Sequence, residues 1–81
     1  MKSKDYVDAI TAYSKSIEIF PNEAATYSNR ALAYIKQKEY TRAIEDADAC
    51  IKISPDYIKG YYRRGKSYQA LNKYDMAIRD F

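Results

Sequence analysis

Lys59 and Arg63 stand four residues apart, with Lys66 three further on. On a helix this spacing sets all three along one face, a cationic stripe. Earlier in the chain Asn29 and Lys36, seven apart, share a helical face in the same way. Amide and cationic donors of these kinds can make charge-assisted hydrogen bonds to carboxylates, worth about 1.5 to 3 kcal/mol each in a partly dry groove. The bland alternative is a solvated helix face, and the matched Asn29 favours binding over it for Lys59 and Arg63. For Lys36 and Lys66 both readings stay open, because a lone lysine on a helix usually only keeps the surface soluble.

Other residue types offer less. The chain has no His, the commonest acid/base residue and metal ligand. Its single cysteine, Cys50, falls where the chain needs a small residue, at the place taken one period earlier by Ser16, and no base stands beside it. Glu45, Asp46 and Asp48 read as a solvated outer face and not as an acid/base pair. No Gly-rich phosphate loop or metal-ligand cluster is present, so neither an enzyme nor a cofactor is expected. The 14 basic and 11 acidic residues interleave, and a net charge of +3 does not by itself call for nucleic acid.

The elements that must position the stripe follow from a repeat. Shifting the sequence by 34 residues aligns Tyr6 with Tyr40 and Tyr74, Ala9 with Ala43 and Ala77, and Ile10 with Ile44 and Ile78. The same shift pairs Pro21 with Pro55, Tyr27 with Tyr61, Arg30 with Arg64 and Tyr34 with Tyr68. Within each period apolar residues recur at helical spacing, as in Tyr6, Ala9, Ile10, Tyr13 and Ile17. A proline two residues beyond the last Ile stops each such helix, and a second helix follows, predicted over Ala24 to Gln37 and over Ile58 to Leu71. Lys38-Glu39 and Asn72-Lys73 form tight turns. The fold class is all-α: antiparallel helix pairs, with Ala31, Ala43, Gly65 and Ala77 where helices approach closely. Most of the ten tyrosines fall on the faces expected to be buried, where aromatics supply core area; Tyr57 and Tyr62 are the exceptions that could line a groove.

A 34-residue helix pair with Tyr, a small residue, Tyr, Tyr, Ala and Pro at these intervals resembles the tetratricopeptide repeat along the whole chain. The pattern departs where the usual Trp is Tyr27 or Tyr61 and the usual Leu is Arg30 or Arg64. Tyr still fills an aromatic slot, and an Arg stem can pack while its head reaches water, so Arg30 and Arg64 read as packing residues. In this register residues 1–23 are the end of a first repeat, mainly its helix B. Residues 24–57 form a complete second repeat and 58–81 a third, truncated in its helix B. A repeat cannot bury its face alone, which implies a longer natural protein and self-association through the incomplete terminal repeats.

The resemblance implies that the A helices line a concave groove in which Asn29 can face Arg63. The segments Tyr27-Ser28-Asn29-Arg30-Ala31 and Lys59-Gly60-Tyr61-Tyr62-Arg63-Arg64-Gly65 resemble the carboxylate clamp of heat-shock cochaperones. They are similar to those of chaperone-binding serine/threonine phosphatases and of heat-shock organising proteins. That likeness implies binding of the acidic C-terminal peptide, ending Glu-Glu-Val-Asp, of the 90-kDa and 70-kDa chaperone classes. Asn29, Lys59 and Arg63 are then clamp members, with Lys36, Lys66 and Tyr62 as further groove residues. The family's clamp also takes a Lys and an Asn from the first A helix, a part of the repeat this chain lacks; that bears on affinity more than on ligand type. The rival readings are a scaffold that binds a different protein or itself, and RNA binding as in the related pentatricopeptide arrays. The latter favour 35 residues and stronger basic character. No apolar run reaches the roughly 20 residues that span a bilayer, and the N-terminus carries no signal-peptide core, so a cytoplasmic or nuclear protein is expected.

Overall fold

Four helices account for most of residues 3–71, the part of the chain that the computed structural model describes. They are α1 (Ser3–Ile19), α2 (Ala24–Lys36), α3 (Tyr40–Ile53) and α4 (Ile58–Ala70). Each packs on its neighbour in sequence, and α2 also touches α4. The short connections force consecutive helices antiparallel, which leaves α2 and α4 side by side and parallel. The expected second helices end one residue earlier than predicted, since Gln37 and Leu71 serve as C-caps. The expected turn at Asn72-Lys73, with Tyr74, Ala77, Ile78 and Phe81, lies outside the described residues.

Periodicity explains the helices, and local chemistry explains where they stop. After α2 the chain closes with Lys38 N–H on the Ile35 carbonyl and Glu39 N–H on the Tyr34 carbonyl, both at 2.9 Å. This is the paired bonding of a Schellman motif, and it requires a left-handed residue at Lys38, whose φ is 63°. Between α1 and α2 the Tyr27 hydroxyl donates to the Pro21 carbonyl at 3.0 Å; between α3 and α4 Tyr61 donates to Pro55 at 2.7 Å. The same tie thus recurs one period on, and fixes both proline turns to the helix that follows them.

The fully buried interior is made of small residues. Ala31, Ala43, Ala47 and Cys50 have no exposed surface, nor do Ser28 and Ser67. Gly60 of α4 lies so close to α3 that an added Cβ would meet Ile51 Cγ1 at 3.0 Å and Cys50 Sγ at 3.1 Å. Burial pushes the Cys50 thiol pKa up, which leaves it protonated and inert. The recurring tyrosines, expected on buried faces, are instead half-buried. Their rings cover the small-residue seam while hydroxyls such as those of Tyr27 and Tyr61 reach hydrogen-bond partners at the rim.

Asp46 corrects the expectation of a solvated outer face: it is only 4% exposed. Arg30 donates to it twice, from Nε to Oδ2 at 2.8 Å and from Nη2 to Oδ1 at 2.7 Å. Its Nη1 also donates to Ser14 Oγ at 3.0 Å. One guanidinium therefore joins α1, α2 and α3, and the bond to Asp46 raises its pKa above the usual arginine value. Asp46 turns inward because the ion pair, and not water, satisfies its oxygens. Arg64, one period later, pairs with Asp48 at 2.8 Å. Asp48 is the period-equivalent of Ser14, so each of these arginines reaches back to the preceding B helix.

Candidate functional site in the groove between α2 and α4

A cleft of about 440 Å³ opens between the two parallel helices, lined by Leu32, Ile35 and Lys36 of α2, Tyr40 of α3, and Tyr62, Arg63, Lys66, Gln69 and Ala70 of α4. Helical geometry supplies this set. Leu32 and Lys36 are four apart on one face, as are Tyr62 and Lys66, so each helix brings apolar and cationic side chains to the same opening. Among the described residues, three cations and no carboxylate line the cleft.

Of the residues singled out from sequence, Lys36, Tyr62, Arg63 and Lys66 meet around this cleft. Asn29 and Lys59 do not line it. Both are exposed, a turn or more toward the N-terminal ends of the same helices. They extend the stripe along the groove without joining the enclosed part. Tyr57, half-buried, is not among the lining residues. Leu32, Ile35 and Tyr40 were missed as site residues. A signal was available for Leu32, which falls three residues after Asn29 and four before Lys36 on the polar stripe; an apolar residue there marks a groove wall.

Charge sorts the arginines into two kinds. Ion pairs among the described residues include Arg30–Asp46, Arg42–Glu39 and Arg64–Asp48. No described carboxylate pairs with Lys36, Lys59, Arg63 or Lys66. Arg63 Nε is also shielded from solvent without a hydrogen-bond partner. A buried N–H left unbonded costs about 1 to 3 kcal/mol, and ligands or ordered water commonly satisfy such groups. The site is therefore a donor-rich groove with an apolar wall, suited to an extended anionic segment. Among the described residues no cluster of His, Cys, Asp and Glu could hold a metal ion, and no helix is long and apolar enough to cross a membrane.

Comparison with known proteins agrees with this fold. Residues 24–57 match a tetratricopeptide repeat family model, and residues 58–81 match a second model of the same description. Over 35 residues, 43% of this chain, the sequence is 51% identical to serine/threonine-protein phosphatase 5 of Homo sapiens. That stretch is 7% of the phosphatase's length. The second TPR of Spaghetti (RPAP3), solved bound to the HSP90 peptide SRMEEVD, superposes with a TM-score of 0.91 at 34% identity, over 94% of this chain and 70% of that one. The TPR2B domain of yeast Sti1, solved as a pHsp70 complex, gives 0.92 at 31% identity, over 95% of this chain and 62% of that one. Helix order, period and solved relatives all lead to one assignment: the chain belongs to the tetratricopeptide repeat family.

Proposed function

We infer that this protein–protein interaction module binds the acidic C-terminal peptide of heat-shock chaperones by a carboxylate clamp. The observation that carries the reading is the convergence of Lys36, Arg63 and Lys66 on one cleft with no carboxylate among its described lining residues. Asn29 and Lys59, exposed further along α2 and α4, supply the remaining donors of the proposed clamp. The peptides named in the Sti1 and RPAP3 structures support this ligand class. In the proposed complex the peptide lies along the groove, its terminal and side-chain carboxylates on the cations and an apolar side chain against Leu32 and Ile35. A cytoplasmic or nuclear setting, where such chaperones act, is part of the same proposal.

The test is a calorimetric titration with peptide SRMEEVD carrying a free C-terminus, beside the same peptide amidated. The clamp predicts binding of the free acid, weakened by salt, and loss on amidation. A scaffold that packs helices against its partner is indifferent to the amide. Equal binding of both forms, or no binding of either, overturns the reading.

A further inference from the structure

Two of the groove cations share one aromatic ring. Arg63 Cζ lies 5.9 Å and Lys66 Nζ 5.6 Å from the centroid of Tyr62, both within cation–π range. Elsewhere in the fold an arginine against a tyrosine is also anchored by an acid: Arg30 sits over Tyr27 and Tyr34 and holds Asp46, and Arg64 sits over Tyr61 and holds Asp48. Arg63 and Lys66 have no described carboxylate, and Arg63 Nε has no hydrogen-bond partner. Tyr62 is their common described neighbour of opposite electrostatic character, since the ring face is its electronegative side.

The geometry points to Tyr62 as a positioning residue that holds Arg63 and Lys66 together, as a preformed pair of positive charges for a ligand bearing two neighbouring carboxylates. This rests on the groove being the binding site proposed above. Two like charges on one helix face, three residues apart, repel and would otherwise spread into solvent. A ring attractive to both opposes that spreading without neutralising either, as a carboxylate would, so the pair stays available to ligand. One period earlier Ser28 and Asn29 stand in place of Tyr62 and Arg63; the unit belongs to α4 alone among the described A helices. Tyr62 is 48% exposed, so its replacement leaves the interior packing untouched.

The experiment uses the full chain with Tyr62→Phe and Tyr62→Leu, titrated with peptide SRMEEVD, and records the Arg63 Nε–H resonance of each free protein by NMR. Tyr62→Phe keeps the ring and is expected to bind within about twofold of wild type, with the Arg63 resonance unmoved. Tyr62→Leu is expected to bind about three- to tenfold more weakly and to shift that resonance, with the thermal midpoint unchanged. Combining Tyr62→Leu with Arg63→Ala and Lys66→Ala should remove the effect of the ring. If Tyr62→Leu weakens binding as much in that background, the ring contacts ligand directly and the positioning role is overturned. An unmoved Arg63 resonance in Tyr62→Leu overturns it as well. Should wild type not bind the peptide, the functional reading fails, and the resonance alone still decides whether Tyr62 places Arg63.

Discussion

Arg30 grips Asp46 with two hydrogen bonds, at 2.8 and 2.7 Å, across the α2–α3 interface, while Ser14 of α1 takes a third at 3.0 Å. The pair is mostly shielded, with side chains 19% and 6% exposed. Removing only the acid leaves a charge without its partner. Asp46→Ala should therefore cost about 3 kcal/mol of stability, discounted slightly for the water that still reaches Arg30. Arg64→Ala should cost about 1 kcal/mol or less, because Asp48 is half exposed. Urea melts of both variants check the order; an Asp46→Ala protein as stable as wild type would contradict a stabilising role for the Arg30–Asp46 pair.

Lys38 holds a left-handed conformation that glycine adopts without penalty. Lys38→Gly should raise stability by about 0.5 to 1 kcal/mol, the conformational gain in the turn exceeding the cost of the extra entropy that glycine gives the unfolded chain. A lowered thermal midpoint would show that the Schellman closure is not what ends α2.

Gly60 admits no side chain without displacement, since its neighbours at 3.0 and 3.1 Å belong to a packed helix. Gly60→Ala should destabilise by about 1 to 3 kcal/mol despite alanine's better helix propensity. Ile51→Ala removes the Cγ1 that the new Cβ meets, so in that background Gly60→Ala should cost less, a coupling that a double-mutant cycle in denaturant would measure.

Much of this was legible from the chain. The 34-residue period and the prolines at Pro21 and Pro55 define four helices and their junctions, because helix pairing follows from where apolar residues recur. The cationic stripe was legible for the same reason, and Lys36, Arg63 and Lys66 do meet. Asp46 was not. An acid on a polar helix face looks the same in sequence whether it meets water or an arginine sixteen residues away, and only the crossing of α2 and α3 decides. The enclosed reach of the groove was equally hidden: Asn29 and Lys59 obey the same spacing as the cleft residues but lie beyond its walls.

Val7, Ile19, Phe20 and Ile58 are between 50% and 81% exposed. Apolar side chains so placed favour contact between copies, and we propose that the chain self-associates. Light-scattering mass should rise across a concentration series, and more so at high salt. A constant monomer mass, kept at high concentration, would contradict it.

The sharpest comparison is between adjacent arginines on α4. Arg64 is engaged with Asp48, whereas Arg63 lines the cleft with its Nε unbonded. Calorimetry with peptide SRMEEVD on Arg63→Ala and Arg64→Ala separates their roles in one experiment. The account predicts a loss of about 1.5 to 3 kcal/mol for Arg63→Ala, roughly tenfold to hundredfold in affinity. Arg64→Ala should bind within about twofold of wild type while melting lower. Equal affinity for wild type and Arg63→Ala would contradict the assignment of this groove as a carboxylate-binding site.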